Sequence, residues 1–467
     1  MSSFFVMLKD KRFLRSLFTI ALPIAAQNFL SFAVNMADTV MLGQTENSQT
    51  VLSASSLANQ PMFIFSMFVF GLASGATVLS AQYWGKRDTS TISVIFSLAL
   101  KISLLVSAVV TVFVFFFPET VMRIYTNELP VIEAGVVYLR IMAFTYLLFG
   151  FSNTSLILLR GVECVRISVV VSFVSLLTNV FLNWVLIFGN LGFAPMGILG
   201  AAVATLIARV IEATIVLVYL LFIQKKISFK RQSLSISRRG LYKDFFRYSL
   251  PVIFNETMWS VGFSAQSIVL GHLGEEAVAA SSVVSTVHQL ATILIFGVAN
   301  ASGVMIGKYI GMNEKKTAYL AAKSFQVLSI AVGCSGFLIL FLLKDIFPNF
   351  YNLPQQTKEL ASSLMIAAAI IVFFVSNAAI NIVGILRGGG DTRFALVVDS
   401  FTLWIWSVPV GFLTAFVFEW PVFVVFFLMK SDEILKTIVL LPRVMSGKWI
   451  KTVTQQSNAH PLQETAG

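Results

Sequence analysis

The sequence predicts an all-α membrane protein with twelve transmembrane helices in two pseudo-symmetric six-helix lobes, related by a parallel internal repeat. Three observations carry that expectation. The first is the solvent that the composition demands. Of 467 residues, 57% are hydrophobic and 12% charged, with a mean hydropathy of +0.85; a soluble domain averages about 45–50% apolar and about 25% charged. The second is a succession of apolar runs, each at least as long as the roughly 20 residues a span needs. The third is a set of motifs in the first half that return in the second at a nearly constant offset.

Taken in order, the runs fall at 14–43, 51–79, 91–117, 138–159, 167–189, 198–223, 245–271, 278–306, 318–343, 360–386, 394–417 and 421–441. The start, Lys9-Asp10-Lys11-Arg12 and then Arg15, has the charge of a signal-peptide n-region. No small-residue cleavage site follows and the apolar stretch continues to Gly43, which predicts an uncleaved first span. With the N-terminus inside, 25 of the 33 Lys and Arg fall on the cytoplasmic side, Arg160, Arg387 and Lys436 among them. Acids such as Glu119, Glu128, Glu275, Glu276, Asp345 and Glu359 fall outside. This bias orients the chain, with both termini cytoplasmic. The last span is interrupted by Lys430, Asp432 and Glu433. Two courses fit it: a full crossing, or an end near Met429 followed by an amphipathic helix on the inner surface.

The longest basic stretch lies midway and reads as a linker. The predicted organisation is an N-lobe over 1–223, a cytoplasmic linker over 224–244, a C-lobe over 245–441 and a cytoplasmic tail over 442–467. The halves repeat. Phe70-Gly71-Leu72-Ala73 through Gly85 matches Phe296-Gly297-Val298-Ala299 through Gly311 at an offset of 226. Leu22-Pro23 matches Leu250-Pro251 at 228, and Leu159-Arg160-Gly161 matches Leu386-Arg387-Gly388 at 227. Each half has an even number of spans, so both enter with one orientation. Such repeats place a transporter's site between the lobes.

An ionisable side chain at a helix centre costs about 2.5–3.5 kcal/mol on insertion scales, so intramembrane acids are the first candidates for function. Asp38 lies in the first span behind Asn28, Ser31 and Asn35, and steps of 3, 4 and 3 put all four on one face. Such a stripe lines a water-filled cavity or joins helices. Span five carries Ser172, Ser175, Asn179 and Asn183 at similar spacing; span four offers Asn153 and span six Thr205. One carboxylate among neutral oxygens is hard-ion chemistry suited to Na⁺, and a carboxylate in a partly dry site also suits proton uptake. Glu256 is the parallel candidate in the second half, with Ser260, Ser264 and Ser267 on its face. Arg209 and Glu212, at i,i+3, read as a stabilising pair. Asp399 is left without an assigned role. Pro23 and Pro251 interrupt spans one and seven at corresponding places, as hinges or as simple kinks.

Other functions are excluded or disfavoured by what the residues offer. The net charge of +11 could suggest nucleic acid, but the basic residues sit at the ends of apolar runs and form no aromatic-interleaved patch. Cys164 and Cys334 carry no CxxC or His partner. No Walker motif is present, and Gly303–Lys308 has the wrong spacing for one. The polar faces offer carboxamides and hydroxyls without a nucleophile–base pair, so an enzyme is not expected.

Asp38-Thr39-Val40-Met41-Leu42-Gly43, Ala81-Gln82-Tyr83-Trp84-Gly85-Lys86-Arg87-Asp88, Leu159-Arg160-Gly161, Asn179-Val180-Phe181-Leu182-Asn183 and Leu386–Thr392 together resemble the multidrug and toxic compound extrusion (MATE) family, NorM-like members in particular. The resemblance covers about 12–410. It implies a two-lobed antiporter exporting small, mostly cationic drugs or metabolites in exchange for Na⁺ or H⁺, without a cofactor. It places the amino-lobe cation site on Asp38, Asn153, Asn179, Asn183 and Thr205, the group that polarity alone assembles, with Glu256 in the carboxy-lobe site. The usual acidic partner of Glu256 on span ten is absent, Ser376, Asn377 and Asn381 standing there instead. Asn28, Ser31, Asn35, Asn377 and Asn381 are assigned to the substrate cavity. A monomer in a plasma or bacterial inner membrane is expected, with organic cations and lipid as partners and no nucleic acid. The alternative is a lipid-linked saccharide flippase of the related superfamily, which would call for a strongly basic central cavity.

Overall fold

A computed structural model describes residues 4–45, 48–224, 239–351 and 353–454. The chain is helical throughout these, with no strand among the described residues. Twelve crossings follow one another: α1 (Lys11–Leu42), α2 (Gln49–Gly85), α3 (Thr89–Phe116), α4 (Leu129–Gly161), α5 (Arg166–Leu186), α6 (Gly197–Ile223), α7 (Arg239–His272), α8 (Glu275–Gly311), α9 (Lys315–Leu343), α10 (Gln355–Leu386), α11 (Thr392–Val417) and α12 (Val422–Lys430, then Asp432–Met445). Ten are long and apolar enough to cross a bilayer on those grounds alone. The other two, α7 and α12, carry Glu256 and Lys430–Lys436 respectively, and Glu256 and Lys436 are turned inward against partners. The stretch from 225 to 238, most of the expected linker, lies outside the described residues.

The lobes are built alike. In the first, α1 packs on α5, α2 on α4, and α4 on α3 and α6; in the second, α7 packs on α11, α8 on α10, and α10 on α9 and α12. The lobes meet reciprocally, α1 against α8 and α2 against α7, with α2 against α8 between them. The repeat reaches the backbone. Asp88 N–H donates to the Tyr83 carbonyl at 3.1 Å and Glu314 N–H to the Tyr309 carbonyl at 2.9 Å. Arg87 and Asn313 take the left-handed conformation at φ 60° and 64°, closing α2 and α8 in the same way.

Glycine lets the lobes touch where α2 and α8 end. A Cβ added at Gly85 would lie 2.2 Å from the Lys308 carbonyl oxygen, and one at Gly311 would lie 1.9 Å from that of Gln82. Only a residue without a Cβ fits either place. Lys308 Nζ crosses the same seam to Glu163 at 2.6 Å. This end, which also carries Lys86, Arg87, Lys315 and Lys316, is called the basic end below.

The structure decides the course of α12. Trp406 Nε1 donates to Ser431 Oγ at 2.9 Å, Lys436 pairs with Asp399 at 2.8 Å, and Arg443 pairs with Asp391 at 2.7 Å. These contacts step down α11 in antiparallel order, so the helix crosses fully and turns only at Ser431. The chain then runs back to the lobe seam. Trp449 is fully buried, Lys451 N–H donates to the Gly389 carbonyl at 2.8 Å, and Gln82 of α2 donates to the Lys451 carbonyl at 3.0 Å while accepting from Val453 N–H at 2.9 Å. Residues 449–453 therefore strap the first lobe to the second at the basic end.

Candidate functional site

Three helices assemble the polar centre of the first lobe. Asn179 and Asn183 stand one turn apart on α5, buried at 1% and 0% exposure. Asn183 Nδ2 donates to Asp38 Oδ1 of α1 and also approaches Asn179 Oδ1 at 3.2 Å; Asn179 Nδ2 donates to Thr205 Oγ1 of α6 at 3.3 Å. Asp38, Asn183, Asn179 and Thr205 thus form one connected chain. Asn183 Oδ1 is buried without a hydrogen-bond partner. A buried acceptor left open in this way costs about 1–3 kcal/mol, and it points to a missing donor or cation. One carboxylate, two carboxamide oxygens and a hydroxyl fit a small hard cation. Asn153 of α4 is half-buried, and no hydrogen bond joins it to this chain among the described residues. Arg209 pairs with Glu212 at 2.7 Å, as their spacing predicts. Asn28 is half-buried, whereas Ser31 and Asn35 are exposed on α1.

The second lobe is arranged differently. Glu256 of α7 is buried and bonded to Arg387, whose other nitrogen reaches Ser74 of α2 at 3.4 Å. Glu256 is therefore committed to an ion pair. Beside it, Asn255 Nδ2 donates to Asp399 Oδ2 at 3.0 Å. Lys436 Nζ holds Asp399, Asp432 and Glu433 at 2.8, 2.9 and 2.8 Å. Three of the basic residues counted to the inner side are buried in the bundle: Lys436 is 2% exposed, Arg387 3% and Arg160 7%. Desolvation is offset for Lys436 and Arg387 by the carboxylates they meet. Asn377 and Asn381 are sealed between α9 and α10, where both bond to Gln326 at 2.9 and 2.6 Å and Asn381 donates to Asn377 at 2.7 Å.

Some contacts leave no signal in the sequence. Nothing local ties Gln82 to Gly388 or to the 449–453 strap. The Lys436 cluster did leave a signal, since Asp432 and Glu433 precede it at i,i+4 and i,i+3, the spacing of helical ion pairs.

Two like lobes meeting along a reciprocal seam, closed at one end and holding ionisable groups inside the apolar bundle, are the architecture of a secondary transporter rather than an enzyme. The comparisons agree. The model of the MatE family matches residues 23–185 and again 251–413, so the chain belongs to this family of multidrug efflux transporters, and the two matches fall on the two repeats. A probable multidrug resistance protein NorM of Thermotoga maritima is 25% identical over 439 residues, covering 94% of this chain and 93% of its own. An uncharacterized transporter of Bacillus subtilis, YisQ, is 25% identical over 95% of this chain and 96% of its own. Among solved structures, the outward-facing conformation of a multidrug resistance MATE family transporter of the MOP superfamily superposes with a TM-score of 0.82, at 18% identity, over 97% of this chain and 99% of that one. These likenesses support the same fold, with two six-helix lobes.

Proposed function

We propose that this chain is an antiporter of the cell membrane, both termini cytoplasmic, that exports small organic cations in exchange for Na⁺ or H⁺. The coupling ion binds in the first lobe at Asp38, Asn183, Asn179 and Thr205, with Asn153 entering the coordination when the ion does. One observation supports this above the others: the Asp38 carboxylate is held by an amide whose own oxygen has no partner. With the Asn183 amide turned so that its oxygen faces Asp38, a cation would meet both oxygens, and a proton on Asp38 would supply a donor in place of the ion.

The driving force suffices for useful work. Inward movement of one elementary charge yields about 2.3 kcal/mol per 100 mV. The carboxylate is the only member of the chain Asp38–Asn183–Asn179–Thr205 that changes charge, so occupancy at Asp38 sets the charge of that chain. In the second lobe Glu256 is paired with Arg387, and Asp399, Asp432 and Glu433 share Lys436; Asp38 has no ion pair among the described residues, which favours the first lobe as the coupling site.

The reading is tested by dye efflux from proteoliposomes under separately imposed sodium and pH gradients. Efflux driven by either gradient alone is the expected result and names the ion. Equal efflux with no gradient of either kind would overturn antiport.

A further inference from the structure

Where the lobes close at the basic end, two arginines from equivalent places in the repeat face one small cavity. Arg160 ends α4 and Arg387 follows α10, the latter carried round by the π-helical turns of Ile380–Leu386. The cavity is about 30 Å³, lined by Ser74, Thr77, Arg160, Asn300 and Arg387 among others; a water needs about 10–15 Å³. The two guanidiniums differ in what they meet. Arg387 has the Glu256 carboxylate. Arg160 donates to the neutral Gln27 Oε1 at 2.6 Å, its Nε has no partner, and no carboxylate lies within ion-pair distance among the described residues. Arg160, Arg387 and Glu256 together leave one uncompensated positive charge, 93% buried at Arg160.

A buried charge without a counter-charge is expensive; a guanidinium's fork of N–H donors matches a carboxylate, and its charge also attracts a halide. We infer that this cavity is a binding site for one small monovalent anion, chloride or the carboxylate head of a small organic acid, held by Arg160 with Arg387, Ser74 and Asn300 around it. Because the walls come from α2 and α4 of one lobe and α8 and α10 of the other, the anion joins the lobes and favours the closed basic end. The site is separate from Asp38 and does not depend on which cation is coupled.

The test uses the purified full-length protein in detergent, with sodium and ionic strength held constant and gluconate, too large for the cavity, exchanged for chloride or acetate. The expected result is a saturable rise in the unfolding midpoint with chloride and with acetate, abolished in Arg160→Gln and weakened at least tenfold in apparent affinity in Arg160→Lys. A response to acetate alone assigns the site to organic carboxylates; a response to both assigns it to free small anions. Asn300→Leu keeps the Arg160–Gln27 bond and removes one polar wall, so it serves if Arg160→Gln does not fold, and a weakened response is expected there. No difference between gluconate and the small anions in the unaltered protein, or a full response in Arg160→Gln or Asn300→Leu, would overturn the assignment.

Discussion

Replacing Gly311 with Ala should force the basic end apart. The new Cβ would lie 1.9 Å from the Gln82 carbonyl oxygen, so α8 and α2 must part by about 1.5 Å to restore van der Waals contact. Relief by a side-chain turn is unavailable, because the obstacle is backbone. The same Gln82 side chain ties α2 to Gly388, Lys451 and Val453, and those bonds stretch as the helices part. Overpacking of this kind costs about 1–3 kcal/mol, which shifts a two-state equilibrium about 5- to 150-fold away from the sealed form. Spin labels at Lys86→Cys and Lys316→Cys, with Cys164 and Cys334 replaced, report the separation across the seam. Gly311→Ala and its counterpart Gly85→Ala should move the distance distribution outward and lower transport. Gly271→Ala, where a Cβ meets nothing within 4 Å, should leave it unchanged. An unaltered distribution and full efflux in Gly311→Ala would refute the idea that close backbone contact holds this end shut.

Three further outcomes follow from the geometry. Lys436→Met strips Asp399, Asp432 and Glu433 of their shared cation and should destabilise the protein by about 3–5 kcal/mol; a change below about 1 kcal/mol in detergent unfolding would show the cluster to be solvated. Removing residues 447–467 takes away Trp449, Lys451 and Val453, so the sealed population at the basic end should fall in the same spin-label measurement, and a wild-type distribution would show the strap to be idle. Asn179→Val cuts the link between Asn183 and Thr205 and should raise the half-saturating concentration of the coupling ion about tenfold, about 1.4 kcal/mol; unchanged ion dependence of efflux would remove Asn179 from the site.

The sequence made the fold legible because the bilayer leaves few choices. Apolar length marks the spans, each long enough to cross a bilayer. The repeat was visible in Gly71 and Gly85 against Gly297 and Gly311, and the structure gives the reason: these glycines sit where backbone meets backbone, as with Ile253 at Gly71 and Ala21 at Gly297. Within the candidate site, Asp38, Asn179, Asn183 and Thr205 were found because polar groups are rare in spans and their steps share a face. Pairings across the fold were hidden. Nothing local ties Glu256 to Arg387, 131 residues on, or Asp399 to a lysine beyond a loop. A count of Lys and Arg across the loops treats every lysine as seeking water, and it does not see that Lys436 meets Asp399, Asp432 and Glu433 inside the bundle.

Asp38→Asn tests the central claim most directly. The substituted amide oxygen can still accept from Asn183, so the helix contact survives while the charge does not. In vesicles carrying the variant, imposed sodium and pH gradients should no longer accelerate efflux, although the protein should fold, insert and bind dye. Gradient-driven efflux at the unaltered rate would show that the first-lobe carboxylate does not couple ion entry to export.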